Sequence, residues 1–179
     1  MKNITILLAF IILVSCSNDD NKTNTENNFS ETDINLVTGI NIRNSENGNG
    51  TPLGNPNIYT NDTFTAFPNP PIGVLTLQTN NLKNTISNIW VTPANAKKIY
   101  QETDFNEILS SSLYTENQID SNATLKLLNQ SSSSLSINLE SLQPGYYKVF
   151  VELDGKLYWD NFYKAGDIFE IDDLITYWE

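Results

Sequence analysis

The chain has 179 residues, with 10 Lys+Arg against 21 Asp+Glu, a net charge of −11, one cysteine and no histidine. The lack of histidine excludes the usual general base, the commonest metal ligand and every Ser-His-Asp arrangement. A single cysteine leaves no intrachain disulfide, and the acidic balance disfavours a nucleic-acid partner, whose phosphates it would repel.

Met1-Lys2-Asn3 carries one positive charge, and residues 4–14 are almost wholly apolar. That run has the length of a signal-peptide hydrophobic region and falls short of the ~20 residues that span a bilayer at ~1.5 Å per residue. Leu13-Val14-Ser15-Cys16 then resembles the lipobox of bacterial lipoproteins. The resemblance implies a diacylglycerol thioether on the Cys16 sulfur, cleavage before Cys16 and acylation of the freed amine. Residues 1–15 accordingly read as a lipoprotein signal peptide. One acyl chain holds a protein only marginally, whereas two or three hold it firmly. Ser17-Asn18-Asp19-Asp20 resembles the export signal that sends lipoproteins of the Bacteroidetes group to the outer face of the outer membrane. A periplasm-facing anchor is the alternative.

Residues 16–33 follow as the acylated cysteine and a flexible tether, polar except for Phe29 and too poor in apolar surface to offset the entropy of ordering. Residues 34–62 read as one strand and a loop. Ile34, Leu36, Ile40 and Ile42 alternate as a strand with one buried face, and residues 43–57 carry the Gly, Pro and Asn of a loop. Residues 63–179 read as the folded domain. Residues 63–67 form a short strand stopped by Pro68-Asn69-Pro70-Pro71, and residues 73–79 and 86–92 are β-branched strands. Residues 103–112 read as one short helix, with Asp104 and Glu107 at capping-box spacing and Phe105, Ile108 and Leu109 on one face. Residues 123–129 suggest a strand, and Leu135, Ile137 and Leu139 alternate again. Residues 146–153 and 156–164 flank Asp154-Gly155, the strongest hairpin signal in the chain. Residues 166–179 read as an edge strand or a short helix. Strands and turns at this spacing predict an all-β fold, a small immunoglobulin-like β-sandwich with one short inserted helix.

Two stretches of this β region resemble the C-terminal sorting domain of type IX secretion cargo (the Por secretion tail). Phe67-Pro68-Asn69-Pro70 with Gly73, Leu75 and Leu77 resembles its opening, and residues 137–149, with Leu142, Gly145 and Tyr146, resemble its close. The resemblance runs from about residue 63 to residue 165 and implies an immunoglobulin-like sandwich. Residues 97–134 stand as an insertion in that pattern, and residues 166–179 continue beyond its last strand. No binding residues transfer.

The aromatic residues offer the most specific ligand chemistry. Trp159 and Trp178 are candidate stacking platforms for sugar rings, alongside Trp90, Tyr158, Tyr163 and Tyr177. Tyr158 and Trp159 point to opposite faces of one strand, so at most one of the two is expected in the core. Asp167, Glu170, Asp172, Asp173 and Glu179 read as solvated charge rather than a Ca²⁺ site, since no D-x-[DN]-x-[DN]-G loop is present. No P-loop, G-x-S-x-G or dinucleotide fingerprint appears. The expectation is a non-enzyme without cofactor or metal: a lipid-anchored binding or structural module at the bacterial outer membrane. It would meet the membrane through its lipid and a protein or glycan through the domain. A glycan-binding accessory lipoprotein and a module associated with type IX secretion are the alternatives.

Overall fold

The computed structural model describes residues 34–46 and 50–179. In order these form β1 (Leu36–Val37), β2 (Gly39–Ile42), β3 (Thr51–Gly54), β4 (Phe64–Phe67), β5 (Val74–Thr79), β6 (Ile86–Pro93) and β7 (Asn95–Ala96). Then come α1 (Phe105–Ile108), α2 (Glu116–Asn122), β8 (Leu125–Leu127), β9 (Ser134–Asn138), β10 (Gly145–Leu153), β11 (Lys156–Lys164) and α3 (Ile171–Trp178). A four-stranded antiparallel sheet, β11-β10-β6-β8, packs on a three-stranded one, β4-β5-β9. The expected all-β sandwich is present. Two smaller pairings, β2 with β3 and β1 with β7, complete it.

The β10–β11 hairpin sets the geometry of everything else. Asp154 (φ 50°) and Gly155 (φ 75°) take the left-handed backbone that a type I′ turn requires. The pairing then runs without a break from Leu153↔Lys156 to Gly145↔Lys164. On the face toward the three-stranded sheet, Tyr147, Val149, Val151, Tyr158 and Phe162 meet Phe64, Leu75, Leu77 and Ile137. The opposite face carries three cross-strand rows, since partners in register share a face. Trp90, Phe150 and Trp159 form an aromatic row, Thr92, Lys148 and Asn161 a polar one, and Tyr146 with Tyr163 a third.

That opposite face is also covered, and this decides the fate of the aromatics. Phe105 of α1, Leu109 at its C-terminal end, Tyr114, and Ile119 of α2 close over the Trp90–Phe150–Trp159 row, joined by Ile34. Val37, Ile40, Leu174 and Trp178 cluster next to it, with Tyr146 and Tyr163 packed against them. Tyr158 and Trp159 are consequently both buried. The expectation that at most one would lie in the core is corrected: alternation separates two faces, but here neither is open.

Three further expectations change. The single helix expected over residues 103–112 shrinks to the four residues of α1, and a second helix, α2, lies beyond that range. Asp104 caps α1 by accepting from Asn106 N at 3.0 Å, and α1 ends at Ile108, before the Ser110-Ser111-Ser112 run, whose hydroxyls compete for backbone groups. α2 follows with a reciprocal capping box. Thr115 N donates to Gln118 Oε1 at 2.8 Å, and Gln118 N donates to Thr115 Oγ1 at 3.4 Å. The loop expected over residues 43–57 contains β3, which pairs with β2 as a hairpin. Residues 34–42 bury both faces of the backbone over Leu36–Ile40, not one, because they are wedged between α3 and β11.

Residues 34–62 close the outer edge of β11 by one backbone bridge, Tyr59 with Trp159 (both N–H···O bonds 3.0 Å), and otherwise by side-chain amides. Asn161 Nδ2 donates to Gly39 O at 3.0 Å and to Asn57 Oδ1 at 2.8 Å, while Asn57 Nδ2 donates to Leu36 O at 2.9 Å. Asn69 Nδ2 donates to Asn41 O at 2.8 Å and Asn161 O at 2.9 Å, and its Oδ1 accepts from Tyr163 N at 3.2 Å. An edge sealed this way has no free ladder for a second chain. The Pro68-Asn69-Pro70 motif is thereby structural: its prolines follow the end of edge strand β4 and its asparagine locks β2 to β11.

Candidate functional site

Cys16 and the Ser17-Asn18-Asp19-Asp20 signal lie outside the described residues. The two candidate stacking rings are within them, and both are corrected. Trp159 is 0% exposed, with its ring against Tyr59, Tyr114 and Phe150 and its indole N–H donating to Asn57 O at 3.0 Å. Trp178 is 6% exposed and stands edge-on to Tyr146 at 5.9 Å, above Gly54. Neither ring has a face free for a sugar.

Gly54 makes the Trp178 contact possible. Its φ is +65°, and a Cβ there would run into the indole ring and the Thr38 carbonyl oxygen. Gly54→Ala is expected to cost about 2–4 kcal/mol, combining overpacking with a left-handed alanine. Urea unfolding of the variant checks this, and unchanged stability would mean that α3 does not dock on β3.

α3 builds an aromatic-lined groove at the surface. Its first turn carries Asp172 and Asp173, favourable at the positive end of the helix dipole. Leu174 and Trp178, four residues apart, turn inward, leaving Ile171 and Tyr177 outside. The helix lies beside the Tyr146–Tyr163 row, and between them runs a groove of about 280 Å³ lined by Tyr146, Tyr163, Phe169, Leu174 and Tyr177. Ring centroids are 4.9 Å apart for Tyr146–Tyr163, 5.6 Å for Tyr163–Phe169 and 6.1 Å for Tyr146–Tyr177. Exposed Glu170 and Asp173 share the lining, as does Ile168. Burial pushes the Tyr146 phenol well up, offset in part by the Trp178 indole, so this ring stays neutral. Tyr177 donates its hydroxyl to Ala96 O at 3.0 Å, which fixes the outer wall.

A larger cleft of about 550 Å³ is polar, with Arg43, Asp62, Thr65, Gln78 and Asn80 among its lining residues. Arg43 is already engaged there, in an ion pair with the fully buried Asp160. Burial raises the Asp160 carboxyl, and Arg43 and the Asn161 N–H pull it back. Among the described residues Asp160 is the only buried carboxylate, and no three His, Cys, Asp or Glu side chains gather where a metal ion could sit. The exposed face of the three-stranded sheet is uncharged, with Thr65–Gln78–Ser134 and Phe67–Thr76–Ser136 in register across it.

The aromatic chemistry singled out in the sequence therefore survives at other residues. Tyr163 and Tyr177 were candidates and do line the groove; Tyr146 and Phe169 join them unforeseen. Equal steps outward from Asp154-Gly155 pair Tyr146 with Tyr163, so hairpin register carried that signal. Nothing local marked Phe169.

Comparison of the chain with protein-family models, with curated proteins and with solved structures finds no match in any of the three.

Proposed function

We propose that this chain is a lipid-anchored, non-catalytic binding module of the bacterial outer membrane, whose β-sandwich presents the Tyr146–Tyr163–Tyr177 groove. The observation that carries the binding role is the groove itself. Four aromatic rings are held at 4.9–6.1 Å spacings by two strands, a helix and the segment that joins β11 to α3, yet remain partly open. Such rigid aromatic surface gives contact area at little entropic cost. Binding is favoured over catalysis because the carboxylates along the clefts are exposed, while the buried one, Asp160, is committed to Arg43.

The anchor rests on the order of charge, apolar run, small residue and Cys16, and outward display on Asp19 and Asp20. At ~5–6 Å × √n, a tether of about 17 residues reaches roughly 20–25 Å. A lipid on Cys16 would commit the chain to the lipoprotein route. The segments that resemble the sorting domain are accordingly assigned a structural role, with Asn69 as the lock between β2 and β11.

Two readouts on one set of cells test this. Labelled palmitate is expected on the wild-type chain and absent from Cys16→Ser, and a wild-type chain without label would overturn the anchor. Protease added to intact cells is expected to digest the wild type and spare Asp19→Ala/Asp20→Ala. Protection of both would place the domain on the periplasmic side.

A further inference from the structure

Resting on the binding role above, we infer that the groove beside α3 receives an organic cation, the lysine or arginine side chain of a protein partner. Four features of the groove converge on that chemistry.

First, its walls are aromatic rings. A ring presents negative potential above its plane, and a cation within about 6 Å of the centroid is attracted to it. With Tyr146 and Tyr163 at 4.9 Å and Phe169 5.6 Å from Tyr163, a charge entering the groove meets several rings at once. Second, the charge at its mouth is negative. Glu170, Asp172 and Asp173 crowd the start of α3, where the helix end supplies only about half a positive charge. Their surplus disfavours an anionic ligand, as does the −11 of the whole chain.

Third, the chain already places a cation on one of these rings. Lys98 Nζ stands 5.8 Å from the Tyr177 centroid, and Lys98 is not among the residues that line the groove. Fourth, size and rim favour a side chain over a free small molecule. About 280 Å³ is below the ~300–1,000 Å³ of pockets that enclose small ligands. Ile168, at 95% exposed and on the groove's lining, offers an apolar lip along which the methylene stem of lysine or arginine would lie.

The test titrates the full chain carrying Cys16→Ser, held in a non-ionic detergent, with Nα-acetyl-lysinamide and Nα-acetyl-argininamide. Nα-acetyl-norleucinamide serves as the neutral probe of similar shape, and aromatic NMR resonances of Tyr146, Tyr163, Phe169 and Tyr177 report binding. At low salt the cationic probes are expected to bind about tenfold more tightly than norleucinamide, with the margin shrinking as salt rises. Glu170→Gln/Asp173→Asn is expected to remove most of that margin. Both residues are exposed, so their replacement leaves the core intact.

Equal binding of the neutral probe overturns the cation assignment and leaves the groove a binding site. Tetramethylammonium binding more tightly than either amide overturns the side-chain assignment in favour of a quaternary headgroup. No shift with any probe overturns the cation assignment and removes the groove from the binding role as well.

Discussion

Trp159→Ala is expected to lower the unfolding free energy by about 3–5 kcal/mol, the range for an aromatic residue deleted from a packed core. The value should fall toward the upper end, because three aromatic neighbours lose their partner and the Asn57 carbonyl loses a donor at 3.0 Å. Against a typical stability of about 5–15 kcal/mol, such a loss brings the chain close to unfolding at ambient temperature. Trp159→Phe keeps most of the ring packing and gives up the N–H, so about 1–3 kcal/mol is expected. Urea titration followed by circular dichroism separates the two variants through their midpoints. A Trp159→Ala chain that melts like the wild type would require an exposed ring, and would return Trp159 to the ligand-stacking role that its burial denies.

Arg43→Met is expected to cost about 3–5 kcal/mol at neutral pH, because it strands the Asp160 carboxylate in the protein interior. The loss should depend on pH in a defined direction. Burial already holds the Asp160 carboxyl above its ordinary value, and removing the guanidinium takes away the main opposing influence. A carboxyl raised on folding is protonated in the folded chain at a pH where the unfolded chain has lost the proton. Its contribution is therefore most favourable in acid and declines as pH rises through the folded value. The gap between wild type and Arg43→Met should narrow as pH falls from 7 through the raised value of the variant. Arg43→Met/Asp160→Asn removes both charges, keeps an acceptor for the Asn161 N–H, and is expected to recover most of the loss. A gap that stays constant across pH, or a double variant no better than the single, would mean that Asp160 is not confined as described.

The parts of the fold that were legible depend on neighbours in sequence. Asp154-Gly155 specified a turn, and the turn specified register for the whole β10–β11 pair. Richness in β-branched residues over 73–79 and 86–92, and alternation over 135–139, located β5, β6 and β9. The parts missed had a local signal that pointed elsewhere. Pro52 and Gly54 made β3 look like a loop, although the strand exists because β2 pairs with it and Gly54 must pass under Trp178. α2 buries only Ile119, too little for a helical stripe, and the Thr115-Glu116-Asn117-Gln118 capping box was its one available sign.

The candidate site divides along the same line. Residues within the hairpin, Tyr146 and Tyr163, share a face as a consequence of register, and register follows from two turn residues. Phe169 and Tyr177 meet them because α3 docks on Val37 and Ile40, more than a hundred residues earlier in the chain. Period-two alternation assigns each side chain to one of two faces but carries no information about what lies over either. Whether Trp159 and Trp178 would be core or platform thus depended on where residues 105–119 and 171–178 come to rest. Those segments settle by burying apolar area against distant strands, a non-directional force that local spacing in the sequence does not record.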